Sequence, residues 1–223
     1  MYPTSVSAVH QDYLKAIYML GASGQEASNS AIAEAMAVAP ASATNMVKRL
    51  AEMDLIEYRP YRGVRLTPVG EQVALETIRH HRLLELFLHE VLEIPWEKVH
   101  AEAEKLEHAI SEEVEEAIAR KLGYPSFDPH GDPIPARDGS KALVADVLLS
   151  ELPPNRPAFV TRVLIQEEER LRYLGDLGIT PGASLTVVDR VPFEGPLIVR
   201  IGGRSHVLAF EMAEHLRVAE RAN

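Results

Sequence analysis

A chain of 223 residues with 46% hydrophobic and 25% charged residues has room for one large domain or two to three small ones. It contains no cysteine, which excludes disulfides, thiolate nucleophiles and thiolate metal ligands; any metal site must use oxygen and imidazole nitrogen. The net charge is −10, yet between Ser42 and Leu66 five Lys/Arg stand against three Asp/Glu, so the acidity leaves room for a nucleic-acid face in that segment.

The N-terminal MYPTSVSAVHQDY has neither a basic region nor an apolar stretch, and no apolar run approaches the roughly 18 residues of a membrane helix. The expectation is a cytoplasmic protein with no membrane partner. Tyr13, Ala16, Ile17 and Leu20 recur at helical spacing from His10. Ser30 is positioned to cap a short helix through Met36, and Pro40 suits the first turn of another running to about Met53. Two short strands, Leu55–Tyr58 and Val64–Thr67, flank Arg59-Pro60-Tyr61-Arg62-Gly63, and Thr67-Pro68 starts a further helix.

Residues 68–122 read as long helices broken near Ile94-Pro95, the second carrying Val99, Ala103, Leu106, Ile110, Val114 and Ala117 on one stripe. Residues 124–140 are rich in Pro, Gly and Asp and read as a linker with His130 exposed. His80 and His89 read as structural or solvated. Beyond lie short β-rich runs at 184–190, 197–201 and 206–210, with turns at Pro181-Gly182, Glu194-Gly195-Pro196 and Gly202-Gly203, which suggest a small barrel. The fold class is therefore mainly α with a small β domain, divided at 1–75, 76–140 and 141–223.

Helix, turn, helix and basic hairpin within some 40 residues is the order of a winged helix-turn-helix. With Ala43, Met46, Val47 and Leu50 inward, Ser42, Thr44, Asn45, Lys48 and Arg49 face solvent. Short hydroxyls and an amide suit base edges; the cations suit phosphates. Arg59, Arg62 and Arg65 on the hairpin are placed to clamp the backbone or enter the minor groove. An ordinary helical pair with a solvated basic loop is the alternative.

His100, Glu104, Glu107 and His108 fall at i, i+4, i+7 and i+8, one stripe of a helix beside the apolar one. Crowded ionisable groups next to a core are costly unless a cation neutralises them. His81 and Glu85 form a further i, i+4 pair, and Asp12 offers another carboxylate. The competing reading of each spacing is a solvated face.

Assembled, these residues resemble the diphtheria toxin repressor family of metal-dependent regulators, especially its manganese transport regulator branch. The resemblance runs through DYLKAIYML (12–20), SATNMVKRLAEMDLI (42–56), YRPYRGVRLTPVG (58–70), HHRLLELFL (80–88), KVHAEAEKLEHAIS (98–111) and PHGDPIP (129–135). It implies a DNA-binding first domain, a dimerising second domain with two metal sites, and an SH3-like third domain from about Leu148. By position, one site resembles Asp12, Glu104, Glu107 and His108, and the other His81, Glu85 and His100. Iron-responsive members carry Met and Cys where this chain has Asp12 and Glu104, so carboxylates imply Mn²⁺, a hard ion low in the Irving–Williams order, with Fe²⁺ as the alternative. Lys15 departs from the manganese branch, which often has a Glu ligand there, and the C-terminal domain and His100 look more like the iron branch. Glu167 and Glu168 have no assured counterpart among the family's third-domain ligands. The function implied is a homodimeric repressor on a palindromic operator in double-stranded DNA. A His/Glu metallohydrolase, or a regulator sensing an organic ligand, are the other classes.

Overall fold

The computed structural model describes residues 6–21, 24, 26–59 and 62–220; Pro60 and Tyr61 of the expected hairpin turn lie outside them, as do the first five residues. The chain divides into two compact units. One comprises Met1–His81, Glu107–Ile110 and Pro135–Ser140, the other Arg82–Leu106, Ser111–Ile134 and Lys141–Asn223.

In the first unit, α1 (Ala8–Leu20), α2 (Asn29–Ala35) and α3 (Pro40–Glu52) precede a two-stranded antiparallel hairpin, β1 (Ile56–Arg59) and β2 (Gly63–Leu66), with Ile56 opposite Leu66. Ser28, not the expected Ser30, caps α2: its Oγ accepts the Ala31 N–H at 3.1 Å. Pro40 opens α3, where its fixed φ suits the first turn and no donor is lost. Leu14, Ile17, Ile32, Ala43, Val47, Leu50, Leu55 and Val64 form one core, so α1 and α3 share their apolar faces. Met46, expected inward, packs against that core while partly exposed. Thr67 Oγ1 accepts the Gly70 N–H at 3.1 Å and starts α4 (Pro68–Glu90). A Cβ on Gly70 would lie 1.9 Å from the Leu55 carbonyl oxygen, so α4 can approach the preceding turn only over glycine.

In the second unit, the end of α4 is followed by α5 (Val99–Leu106) and α6 (Glu112–Lys121). The single helix expected through Ala117 does not form. Instead α5 stops at Leu106, residues 107–109 turn, and Ser111 Oγ caps a new helix by accepting the Val114 N–H at 3.3 Å. His100 and Glu104 therefore remain on α5, while Glu107 and His108 leave the stripe. Leu106 and Val114, on the expected apolar stripe, are 40% and 45% exposed on the single chain.

The C-terminal part contains β3 (Val147–Leu148), a 3-10 turn at Leu149–Glu151, β4 (Pro157–Val163), α7 (Glu168–Asp176), β5 (Ser184–Arg190), β6 (Leu197–Ile201), β7 (Arg204–Leu208), α8 (Phe210–Ala213) and β8 (Leu216–Glu220). The six strands are antiparallel in the order β3-β8-β4-β5-β6-β7, around a core of Leu149, Val160, Leu171, Leu174, Val187, Leu197 and Val218. Bulges in β4 and β5 strengthen the twist. The sheet is SH3-like but not a closed barrel, with β3 and β7 as its edges.

The segment read as a linker is packed. Asp128, His130, Asp132 and Ile134 are all buried, and His130, expected to be exposed, is 0% exposed. Asp128 Oδ1 accepts the N–H groups of His130 (2.8 Å) and Asp132 (2.9 Å), and the His130 carbonyl accepts the Val163 N–H of β4 at 2.8 Å. Gly131 has φ +85°, and a Cβ there would meet the Thr161 carbonyl oxygen at 2.0 Å. Only glycine lets this turn lie on β4. Among the described residues no helix is long and apolar enough to cross a membrane.

Candidate metal centre and DNA-reading face

On the first unit, α3 presents Ser42, Asn45, Lys48 and Arg49 to solvent beside buried Ala43, Val47 and Leu50. Thr44 is half-buried: its hydroxyl donates to the Pro40 carbonyl at 2.9 Å and accepts from Asn29 Nδ2 at 3.3 Å. Its hydroxyl thus locks α2 to α3. On the hairpin, Arg59, Arg62 and Arg65 are exposed, and Glu57, an acidic residue absent from the sequence-based set, binds Arg65 at 2.8 Å and Arg59 at 3.3 Å. Hydrogen bonding and charge from Arg65, then Arg59, hold the Glu57 carboxyl below its ordinary range.

The same unit gathers carboxylates and imidazoles around α1. His108 Nε2 lies 2.8 Å from Asp12 Oδ1 and 3.4 Å from Glu107 Oε1. The other ring nitrogen of His108 is 2.6 Å from Gln11 Oε1, which aims Nε2 at the two carboxylates. Glu107 is 1% exposed; its carboxylate receives Lys15 Nζ at 2.6 Å and contacts His81 Nδ1. Burial pushes the Glu107 carboxyl up, but His81 and Lys15 outweigh it and hold it below the usual range. His80 Nδ1 lies 3.1 Å from the Glu107 carbonyl oxygen, a structural role that fixes the turn after α5.

Ligand atoms of Asp12, Glu107 and His108 lie within 4.8 Å of one another. Two carboxylates and an imidazole, free of sulfur, fit a hard or borderline divalent cation. Of the first expected set, then, three residues converge here, and Glu104 stands exposed on α5 in the second unit, 3.8 Å from His100 Nε2.

Of the second expected set, His81 lies against Glu107 in the first unit, and Glu85 and His100 meet in the second, with His100 Nδ1 3.1 Å from Glu85 Oε1. Glu85 has further neighbours that sequence reasoning missed. Its ligand atom, with those of Asp128 and His130, forms a fully buried group within 4.8 Å. Burial, then the charges of Glu85 and Asp132, push Asp128 up to about 8. Burial pulls the His130 ring down, but Glu85, Asp128 and the Trp96 carbonyl overcome it and hold it above its usual value. Both shifts have one origin, an excess of negative charge in a dry pocket. The alternation Asp128-x-His130-x-Asp132 was the available signal, hidden by the Pro and Gly around it. Glu167 precedes α7 and Glu168 pairs with Arg172, so neither joins these groups.

Residues 5–64 match the family described as iron dependent repressor, N-terminal DNA binding domain; residues 67–136 match its metal binding and dimerisation domain, and residues 147–220 the FeoA domain. Over 218 residues the chain is 34% identical to the iron-dependent repressor IdeR of Mycobacterium leprae, covering 92% of this chain and 94% of that one. The chain belongs to the diphtheria toxin repressor family. As a member it is a metal-dependent transcriptional repressor and not an enzyme, which removes the metallohydrolase reading. Members bind DNA through the helix-turn-helix part and dimerise. A solved manganese-dependent transcriptional repressor in complex with manganese superposes on this family member with TM-score 0.88 at 35% identity, covering 95% of this chain and 100% of that one. The HTH-type transcriptional regulator MntR of Bacillus pumilus is 40% identical over 98 residues, 44% of this chain and 67% of that protein.

Proposed function

We propose that this repressor responds to Mn²⁺, with Fe²⁺ the second candidate, and controls metal-ion homeostasis in the cytoplasm as a homodimer on a palindromic operator. Residues 1–75 bind DNA, 76–140 dimerise and hold metal, and 141–223 form the SH3-like domain. Asp12, Glu107 and His108 hold the cation, with Glu104 as a further carboxylate; His81, Glu85 and His100 belong to a second site. The carrying observation is the convergence of Asp12 on α1 with Glu107 and His108 from the turn after α5. The donor set favours manganese, since nothing in it is soft. A manganese-dependent repressor of the same architecture supports that choice, and the iron-dependent name of IdeR keeps Fe²⁺ second.

The bound cation supplies the positive charge that lets two carboxylates and an imidazole share one small space. The rest is done by the chain. One face of α1 carries Gln11, Asp12 and Lys15; the other carries Tyr13, Leu14 and Ile17, packed in the core that also holds Ala43, Val47 and Leu50 of α3. Fixing Asp12 therefore fixes α3, whose Ser42, Thr44, Asn45, Lys48 and Arg49 meet the major groove while Arg59, Arg62 and Arg65 meet the backbone. Two recognition helices of a dimer must stand about 34 Å apart to read successive grooves. Metal favours that spacing only by binding it more tightly than the alternatives. Exposed Leu106 and Val114 supply apolar surface for the dimer.

The test is fluorescence anisotropy on a labelled duplex selected from a random library, with Mn²⁺, Fe²⁺, Co²⁺ or Zn²⁺ and a chelator control. Mn²⁺ should raise affinity at micromolar concentration and chelation should abolish the gain. Equal affinity with chelator overturns the proposal; stimulation by Fe²⁺ alone transfers it to the second candidate.

A further inference from the structure

The β5–β6 hairpin closes on Pro192-Phe193-Glu194-Gly195. There the Pro192 carbonyl accepts the Gly195 N–H at 3.3 Å, and the Pro196 carbonyl accepts the Val191 N–H at 3.1 Å. Phe193 and Glu194 stand at φ +60° and +57°, the left-handed pair that a type I′ turn requires. Asn-Gly meets that requirement with little strain; a phenylalanine followed by a glutamate does not. The Phe193 side chain is also wholly exposed, at 101%, so among the described residues it has no packing partner in its own unit. The residue costs the fold a strained backbone and an aromatic ring left in water, and nothing within the unit offsets either.

The same unit holds an unfilled cavity of about 260 Å³ between the 127–133 turn, the extended segment 141–146, β4 and β8. Phe127, Pro133 and Val144 give it apolar walls. Lys141, Arg162 and Arg217 bring three cations to the lining against one carboxylate, Asp146, which is held by Arg217 at 2.6 Å and by Thr161 Oγ1 at 2.8 Å. Sites for drug-sized ligands run from about 300 to 1,000 Å³. This one is smaller and suits a single ring, with the surplus of positive charge suiting a carboxylate next to it. A ring beside a carboxylate is what Phe193-Glu194 presents. The unit's own tip does not reach. Phe159 pairs with Ser184 at the start of β5 and β4 runs on past it to Thr161 and Arg162 at the cavity, whereas the tip follows Arg190 at the other end of β5. The seven residues of that strand separate the two by about 20 Å.

We propose that the Phe193-Glu194 tip of one copy docks in this cavity of a second copy, the ring against Phe127, Pro133 and Val144 and the Glu194 carboxylate toward Lys141. Tip and cavity are different patches, so the contact is heterologous: one engagement leaves a free tip on one copy and a free cavity on the other. Burying a phenylalanine removes about 150–250 Å² from water, far below the ~1,200 Å² of a stable interface. The contact is therefore transient and additional to the dimer proposed above, and it is strongest where copies are held close together, as on one duplex. It uses neither metal centre, so its failure leaves the proposed function untouched.

The chain has no cysteine, so single cysteines placed in the full chain report the contact. Pro192→Cys chains are mixed under mild oxidation with Ala142→Cys chains, whose cysteine lies in the cavity lining, and separately with Ser205→Cys chains. Ser205 is exposed on β7, the sheet edge away from the cavity. The tip-to-cavity disulfide should form at least ~10-fold faster than the tip-to-β7 disulfide, because docking raises the local thiol concentration. Phe193→Asn with Glu194→Gly, added to the Pro192→Cys chain, gives the turn the residues it favours while removing ring and carboxylate. Its melting temperature should hold or rise, and its rate should fall to that of the β7 control. Equal rates in the two original mixtures overturn the proposal, as does a rate that the Asn-Gly tip leaves unchanged. A lowered melting temperature in the Asn-Gly variant also overturns it, by making Phe193 and Glu194 structural.

Discussion

Lys15 places its ammonium 2.6 Å from Glu107 Oε1, the same carboxylate oxygen that lies 3.4 Å from His108 Nε2. A cation tethered to α1 therefore already occupies part of the buried carboxylate that the divalent ion would use. Removing it should have two opposite effects. Lys15→Met leaves Glu107 with one fewer charge partner, and the metal-free protein should lose about 2 kcal/mol of stability by chemical denaturation. Mn²⁺ should bind more tightly, by about tenfold in calorimetric titration, because Glu107 no longer has to be shared. Unchanged Mn²⁺ affinity in a folded Lys15→Met protein would show that the ammonium and the ion do not compete.

Asp12 offers a test of the coupling between ion and helix. Asp12→Ala should leave the dimer intact by size-exclusion chromatography and lower the metal-stimulated gain in duplex affinity by more than ~1.4 kcal/mol, a factor of ten. An equal gain in the variant means the ion does not act through α1. Asp12→Met should in turn move the order of effective metals toward Co²⁺ and Fe²⁺, since a thioether favours softer ions than a carboxylate does; an unmoved order in the same anisotropy titration removes ligand softness as the cause.

The parts of this protein that were legible in its sequence are those set by local rules. Pro40 marked α3, Thr67-Pro68 marked α4, and strands β5 and β6 lie where alternation and turn residues put them. The stripe from His100 to His108 failed because periodicity continues past a helix end that tertiary contacts impose: Glu107 turns away to meet Lys15 and His81, and Ser111 restarts the chain as α6. His130 failed for the converse reason. Proline and glycine predict an irregular backbone correctly, but irregular is not the same as exposed, and here Asp128 satisfies the turn's own N–H groups so that it can be buried. Strands β4 and β8 and helix α7 were missed because short segments carry weak periodicity on their own.

Glu57 sets a further expectation at the hairpin. It holds both Arg59 and Arg65, and an arginine paired with a carboxylate is a weaker phosphate ligand. Glu57→Gln should therefore tighten duplex binding about three- to tenfold at low salt and steepen the salt dependence, as the released guanidinium groups take up phosphates. Lys48→Ala with Arg49→Ala should do the reverse, flattening the slope of log affinity against log salt by about 1.8. A salt slope that neither change moves would take the hairpin and the exposed face of α3 off the duplex.

The last expectation concerns Gly131, on which the burial of the 128–132 turn depends. Its φ of +85° and the 2.0 Å approach of a Cβ to the Thr161 carbonyl oxygen act together: alanine there would strain the backbone and also push the turn off β4. The strain alone is of order 1–3 kcal/mol, and losing the bond from the Val163 N–H to the His130 carbonyl adds to it. Gly131→Ala should destabilise the protein by more than Gly123→Ala, where φ is also positive (+75°) but a Cβ would meet nothing within 4 Å. Backbone strain is common to both, so the difference isolates the packing of the turn on the sheet. In hydrogen exchange the Val163 amide should lose protection in Gly131→Ala and keep it in Gly123→Ala. Equal losses of stability in the two variants would mean that the turn is held by its own hydrogen bonds and not by its seat on β4.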